Sequence, residues 1–254
     1  MRKTINKLFL IITVISALLL TTGCDLFIKT NKGQVDQKWY MGLTYEDDNG
    51  NDTDYTIGTD GTIAAVALED GYGDEFGIIK GEEAYLNINT IIKNIDKRFY
   101  VDATNNLVMF TDATKTYKTK IGGKTINETE NTDYVISFMD GKNCYVNVKF
   151  VKKYVDFDYK VVKAEGKSPA RIVLKYTSGE KNQMTVKSNI EMRTKADYQN
   201  LIVTTLKKNT KVTVLEESGD WTKVGTDDGF MGYVPAKKLK DKETKKTEFK
   251  SDAD

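Results

Sequence analysis

The sequence has no histidine, 2 cysteines and 2 prolines. Without histidine there is no imidazole base for an acyl-transfer triad, no Cys–His nucleophile pair and no imidazole ligand for zinc or copper. Two cysteines cannot build a disulfide framework or a four-thiolate metal site. The scarcity of proline excludes collagen-like and Pro-rich chains, and 39% hydrophobic with 30% charged residues excludes a wholly disordered one. An excess of one charge is missing as well: 38 Lys+Arg against 37 Asp+Glu leave a net +1, so no overall field draws in nucleic acid. The chain shows neither a Gly-rich phosphate loop nor a carboxylate pair in a glycosidase motif. The expectation is a non-catalytic protein with no cofactor, no metal and no nucleic-acid partner.

What is present begins with an export signal. Arg2, Lys3 and Lys7 are basic, and residues 8–20 are apolar apart from Thr13 and Ser16. That run is shorter than the ~20 residues a spanning helix needs. It ends in Leu20, Thr21, Thr22, Gly23 and Cys24. Small residues before a cysteine at this place resemble the bacterial lipobox, with Thr21 standing where Leu is commonest. The resemblance implies a lipoprotein signal peptide over residues 1–23, diacylglycerol transfer to the Cys24 sulfur, and anchorage at the outer face of the cytoplasmic membrane. Two acyl chains give the stable attachment that one does not. An ordinary signal peptide with a chance cysteine, or an uncleaved membrane helix, are the alternatives. Cys144, in the strand-like run Asn143, Cys144, Tyr145, Val146, then has no partner and reads as a small buried hydrophobe.

Residues 24–37 read as a tether and residues 241–254 as a charged, solvated tail. Residues 38–180 form a β-rich region with an internal repeat at an offset of 60 residues. Identities pair Gly81 with Gly141, Tyr85 with Tyr145, Asn87 with Asn147, Lys93 with Lys153, Asp96 with Asp156 and Val101 with Val161. Each copy, about 81–113 and 141–177, reads as β-α-β-β. A strand meets an Asn that caps a helix, the helix carries one apolar stripe (Ile88, Ile91, Ile92, Ile95; Val148, Val151, Val155), and a hairpin closes the unit. A turn at Thr104, Asn105 and Asn106 makes the first hairpin. Neither copy can bury its stripe alone, so the two are expected to share a core. The units resemble the stalk-like repeats named copper amine oxidase N-terminal-like domains, a name of ancestry that implies no copper here.

Ahead of the repeats, Asp60-Gly61 between Ile57 and Ile63 predicts a hairpin turn. Asp47, Asn49, Asn51, Asp52 and Asp54 crowd oxygen atoms within residues 47–54. They invite a calcium reading but break the EF-hand template, with Asp52 for Gly and Gly58 for Glu, so a solvated hairpin tip is the other reading. Residues 70–75 lack the spacing of a chitinase carboxylate motif and read as a turn.

Residues 184–240 carry four ordered blocks: Asn189 to Arg193 as an N-V-R-like strand, Leu206 to Leu215, Trp221-Thr222-Lys223-Val224, and Gly229 to Val234. These resemble bacterial SH3-like (SH3b) domains, with Asn209 where a turn glycine is usual, a position Asn tolerates in the left-handed region. The resemblance implies a small β-barrel that binds cell-wall peptide, glycan or a polypeptide partner. Tyr198, Trp221, Phe230 and Tyr233 are the aromatic candidates for ligand stacking. For Trp221 and Tyr233 a place in the barrel's own packing competes with that role. Lys237, Lys238 and Lys240 make a basic end.

The expected class is mainly β with minor α (α+β): two β-α-β-β stalk-like repeats, then a small SH3-like barrel. In order, lipobox, repeats and SH3b resemble the N-terminal accessory region of exported family 18 glycoside hydrolases, whose catalytic barrel carries D-x-x-D-x-D-x-E. This chain contains no such motif, and a β/α barrel needs roughly 250 residues, so hydrolase activity is not implied. The expectation is a lipid-anchored, non-catalytic surface protein that binds wall peptidoglycan or glycan through its SH3b domain, with the repeats as spacer. A scaffold docking another exported protein and a truncated hydrolase are the alternatives.

Overall fold

A computed structural model describes residues 30–176 and 179–247. The leader, Cys24 and the end of the tail lie outside the described residues, which are mainly β with few helices. Helix α1 (Gln37–Tyr40) starts at Asp36, whose carboxylate accepts the backbone N–H of Lys38 and Trp39. The hairpin of β1 (Thr44–Glu46) and β2 (Asp52–Asp54) follows. At its tip Asp47 accepts the backbone N–H groups of Asn51 (2.8 Å) and Asn49 (2.9 Å), and these bonds hold its carboxyl below the usual range. The acidic stretch is thus a hairpin tip closed by its own aspartate. No acidic, His or Cys cluster among the described residues could hold a metal.

The N-terminal lobe is built from β3 (Thr62–Ala67), β4 (Gly77–Lys80), β5 (Glu83–Asn87), α2 (Ile88–Asn94), β6 (Phe99–Asp102), β7 (Leu107–Thr111) and β8 (Thr116–Lys120). Then come the short β9 (Thr125–Ile126) and β10 (Glu130–Asn131), β11 (Ser137–Asp140), β12 (Asn143–Asn147), α3 (Val148–Lys152), β13 (Phe157–Val162) and β14 (Ala170–Tyr176). A seven-stranded sheet has the order β11-β12-β5-β4-β3-β14-β13 and is antiparallel except where β14 lies parallel to β3. Both faces are covered, so the central strands are continuously apolar instead of alternating. One face sends Val66, Leu86, Val146 and Ile172 to a core shared with both helices and with the three-stranded sheet β6-β7-β8. The other sends Ala65, Ile78, Tyr85 and Tyr145 against Met41 and Leu43.

The segments that align at the 60-residue offset meet along β5 and β12. Leu86 pairs with its own counterpart Val146, Tyr85 with Asn147 and Tyr145 with Asn87, so a local two-fold axis passes between the strands. Asn87 caps α2 by accepting from Asn89 N–H, and Asn147 caps α3 by accepting from Lys149 N–H. Beyond the helices the two segments diverge. The β6–β7 hairpin joins β8 in a sheet of its own, whereas β13 and β14 extend the main sheet, so they are not two equivalent β-α-β-β units. The symmetry also breaks at one polar contact. Glu83 accepts from the Asn147 amide (2.9 Å) and from Lys149 Nζ (2.6 Å), while the counterpart amide of Asn87 is buried with no hydrogen-bond partner. Asn143 replaces Glu83 there, and it faces Asp140, which is occupied in accepting Gly58 N–H (2.8 Å).

Two local expectations are corrected. Asp60-Gly61 turns no hairpin: Ile57 lies outside any strand, and β3 pairs with β4 and β14 because its apolar run is needed at the centre of the sheet. Ile92 is 38% exposed, since α2 is short and its buried face is filled by Ile88, Thr90 and Ile91.

The C-terminal lobe comprises β15 (Gly179–Val186), β16 (Ile190–Arg193), β17 (Ile202–Leu206), β18 (Lys211–Ser218), β19 (Trp221–Gly225), β20 (Met231–Pro235) and β21 (Leu239–Thr247). The sheet order is β17-β16-β20-β19-β18-β15-β21. It curls about one core to which every strand contributes, including Val186, Met192, Val203, Val212, Val224, Val234 and Leu239. Asn209 adopts φ +68°, as its turn position requires. A Cβ on Gly232 would lie 2.6 Å from the Arg193 carbonyl oxygen, so glycine lets β20 and β16 touch.

Two boundaries differ from the sequence reading. Of the expected tether, residues 31–36 lie on the barrel. Gln34 bridges Ile202 in parallel, Val35 N–H donates to the Ile202 carbonyl (2.9 Å), and Val35 enters the barrel core. Of the expected charged tail, the residues up to Thr247 form β21, which pairs with β15 from Val186–Leu239 out to Gly179–Thr247. The chain therefore touches the C-terminal lobe before it builds the other lobe, and residues 81–177 are no spacer between the N-terminal segment and the barrel.

Replacing Glu83 by Ala leaves the fully buried Asn147 amide without its acceptor. The expected loss is about 1–3 kcal/mol, the scale of a stranded buried polar group, read as a lower urea midpoint at unchanged m-value. A second outcome concerns alkali. Burial raises the Tyr72, Tyr145 and Tyr154 hydroxyls, pushes Tyr40 up to about 12 and the Cys144 thiol up to about 11. All five are acids whose neutral form the fold favours. Their stabilisation is intact below the unfolded values, roughly 8.5 for Cys and 10 for Tyr, and is lost as pH climbs toward the folded ones. The melting temperature should hold to about pH 9 and fall progressively above it, with tyrosinate absorbance appearing together with unfolding.

Candidate functional site

The alternation of β19 and β20 sorts their side chains. Thr222, Val224 and Val234 are buried, and both valines enter the barrel core. Trp221, Lys223 and Tyr233 therefore point to the outer face. Cross-strand pairing sets Tyr233 between Lys223 and Arg193, and Trp221 opposite Pro235. The loop 194–201, between β16 and β17, brings Tyr198 onto the same face. Its ring meets Trp221 edge-to-face, with centroids 4.8 Å apart at 63°. Both rings are half-buried, leaving part of each to solvent.

One buried cation shapes that loop. Arg193 is 1% exposed. Its Nη1 donates to the carbonyls of Asn200 (2.6 Å), Tyr198 (2.9 Å) and Asn31 (2.9 Å), and its Nη2 pairs with Glu191. Asn31 adds a backbone N–H to the Tyr198 carbonyl (2.9 Å) and a side-chain amide to the Gln199 carbonyl (3.0 Å). Tyr198 is thus held from below by the guanidinium and from the side by the N-terminal segment, so its ring is pre-positioned against Trp221. Sequence reasoning placed Arg193 in a strand block without seeing this role. The signal was an arginine at the end of an otherwise core-forming strand, where a charge needs several acceptors.

Of the four aromatic candidates, the structure brings Tyr198 and Trp221 together and puts Tyr233 on the same face. Phe230 goes elsewhere. It packs in the joint between the lobes, against the cluster of Tyr40, Tyr72 and Met41, with Arg171 stacked over its ring at 4.3 Å. The physical reason is Gly229, at φ +79°, where a Cβ would lie 2.8 Å from Val173 and 3.1 Å from Ala67. The turn is pressed against the main sheet and carries Phe230 with it.

The joint is densely bonded. The Tyr72 hydroxyl donates to the Gly229 carbonyl (2.9 Å) and accepts from Met231 N–H (3.3 Å). Tyr40 donates to the Met231 carbonyl (3.1 Å), Arg171 Nε to the Asp228 carbonyl (2.6 Å) and Lys223 Nζ to the Asp70 carbonyl (2.8 Å). A cleft of about 310 Å³ opens beside it, but pairs such as Lys175–Asp227 and Lys181–Glu69 satisfy charges along its walls. The basic end offers little field of its own, since Lys240 pairs with Asp241 (3.1 Å).

A second concavity, of about 360 Å³, lies against the same loop, lined by Val35, Trp39, Tyr40, Thr194, Lys195 and Leu201 among others. Sequence reasoning missed it, because Val35 and Trp39 are far from Leu201 along the chain.

Comparison with known proteins bears on this lobe. No curated protein and no solved structure matches the chain. Residues 188–240 match the bacterial SH3 domain family, and they contain Arg193, Tyr198, Trp221 and Tyr233, so the lobe bearing the aromatic face is a bacterial SH3 domain.

Proposed function

We propose that this is a non-catalytic surface protein, lipid-anchored through Cys24, whose SH3 domain binds cell-wall peptide or glycan on the Tyr198–Trp221 face. The observation that carries the reading is the match of residues 188–240 to bacterial SH3 domains together with the half-exposed ring pair held in place by Arg193. Bacterial SH3 domains fit a cell-wall-binding accessory role. An aromatic face held rigid before binding suits sugar rings and peptide planes, which stack without demanding charge. The lobe of residues 44–176 then acts as a rigid body docked through Tyr72, Arg171 and Gly229, and it presents its outer surface to whatever surrounds the SH3 domain. The internal repeat records how that lobe arose, and the stalk-like ancestry accounts for the aligned strand–helix segments that meet at Leu86 and Val146.

The chain from Asp25 onward should sediment with purified Gram-positive sacculi. Trp221→Ala and Tyr198→Ala should each weaken binding by about tenfold or more, the scale of one aromatic hot-spot contact of ~1–2 kcal/mol, with melting temperatures near wild type. Phe230→Ala should instead lower the melting temperature and leave affinity within about threefold, because its ring serves the joint. In cells, radiolabelled fatty acid should mark the wild-type chain and not Cys24→Ala. If the wild-type fragment stays in the supernatant with sacculi of several species, wall binding is rejected in favour of a protein partner on the same face.

A further inference from the structure

The SH3 lobe carries a second apolar feature that the wall-binding face does not use. Trp39 is 56% exposed and Leu201 is 38% exposed, and the two line one concavity with Val35, Tyr40 and Lys195. Trp39 is held on its short helix by the Asp36 cap. Leu201 packs against the N-terminal segment so closely that a Cβ on Gly33 would lie 3.0 Å from it. Lys195, exposed, supplies a cation at the edge of the concavity, whereas Lys32 is paired with Glu191 (3.1 Å). A tryptophan and an aliphatic side chain lining one concavity with a lysine at its edge make an amphipathic surface of the kind that settles at a membrane–water boundary.

The position of the chain entry indicates what meets this surface. The described residues begin at Thr30, and Asn31 is bonded to the loop 194–201 through the Tyr198 and Gln199 carbonyls. That loop is also the wall of the Trp39 concavity. Only Asp25, Leu26, Phe27, Ile28 and Lys29 separate Cys24 from Thr30, and three of these five are apolar. Fully extended, such a stretch spans at most about 20 Å. A diacylated Cys24 would therefore hold Thr30, and with it the loop 194–201 that walls the Trp39 concavity, within about 20 Å of the bilayer surface.

We propose that the Trp39–Leu201 face docks into the headgroup–acyl boundary of the phospholipid membrane, so that the SH3 domain lies on the bilayer and the N-terminal lobe stands outward. The inference rests on the anchoring of Cys24 proposed above and is independent of what the Tyr198–Trp221 face binds.

The chain has only two tryptophans, Trp39 and Trp221, which makes the test direct. The full lipidated chain with Trp221→Phe is reconstituted into phosphatidylcholine–phosphatidylglycerol vesicles containing lipids brominated high on the acyl chain. Trp39 should emit at shorter wavelength than in detergent-free buffer-exposed controls, and bromolipid should quench it at least twofold. The reciprocal variant, Trp39→Phe, should leave Trp221 unquenched. If Trp221→Phe melts early, the quenched fraction of the wild-type emission that disappears in Trp39→Phe gives the same quantity. Protein that floats with the vesicles while Trp39 stays unquenched by bromolipid and open to iodide overturns the docking and leaves the anchor standing. Protein that does not float at all overturns the anchor and the docking together.

Discussion

Everything about the aromatic face depends on where the Arg193 guanidinium goes. A guanidinium taken out of water must be surrounded with acceptors, because each N–H left unpaired in the interior costs its full desolvation. Here the acceptors are three backbone carbonyls and one carboxylate, and they come from three places: its own strand, the loop after it and a segment more than 160 residues earlier. One side chain thereby ties the N-terminal segment to the SH3 domain and sets the loop that carries Tyr198. The site is consequently a composite of two distant stretches of chain. Neither Tyr198 nor the Trp39 concavity would have its shape if residues 31–36 were a free tether.

This arrangement changes how the two lobes are to be seen. With the N-terminal segment on the barrel edge and β21 pairing back along β15, both ends of the described chain belong to the SH3 lobe. The other lobe is inserted between them and fastened back by Tyr72, Arg171 and the Gly229 turn. Hydrogen bonds from Tyr40, Tyr72, Arg171 and Lys223 at its base fasten it directly against the barrel. It therefore shields one side of the SH3 domain instead of holding it at a distance.

Local chemistry was legible in the sequence, and long-range pairing was not. Asn87 and Asn147 announced two helix starts because capping is decided within a few residues, and Asn209 announced a left-handed turn for the same reason. The SH3 blocks were legible because each is a strand with its own alternation. Residues 31–36 gave no signal: a segment that bridges an exposed sheet edge in parallel needs only a free backbone and one apolar residue, Val35, to enter the core. Residues 241–247 hid for a different reason. As the outer strand of a sheet edge, β21 is rich in Lys, Asp, Glu and Thr, which keeps an edge from sticking to others but reads as a solvated tail. Phe230 read as a ligand-face aromatic because it sits in an SH3b block, and only the contacts a Cβ on Gly229 would make with Ala67 and Val173 show this turn wedged against the other lobe. The alignment at a 60-residue offset led to an expectation of two like units, yet the separate destinations of the two hairpins depend on what each can pair with, which no local pattern encodes.

The most direct test of this account is hydrogen exchange resolved to single amides. Val35 and Ile202 donate across the edge that the N-terminal segment shares with the barrel, to the Ile202 and Gly33 carbonyls. In the chain from Asp25 onward both amides should be protected nearly as well as Val224 in the barrel core, and Arg193→Met should strip that protection while Val224 keeps at least part of its own. Exchange of Val35 and Ile202 at unfolded-chain rates in the wild-type protein, with Val224 still protected, would contradict the claim that this arginine binds the N-terminal segment into the SH3 domain.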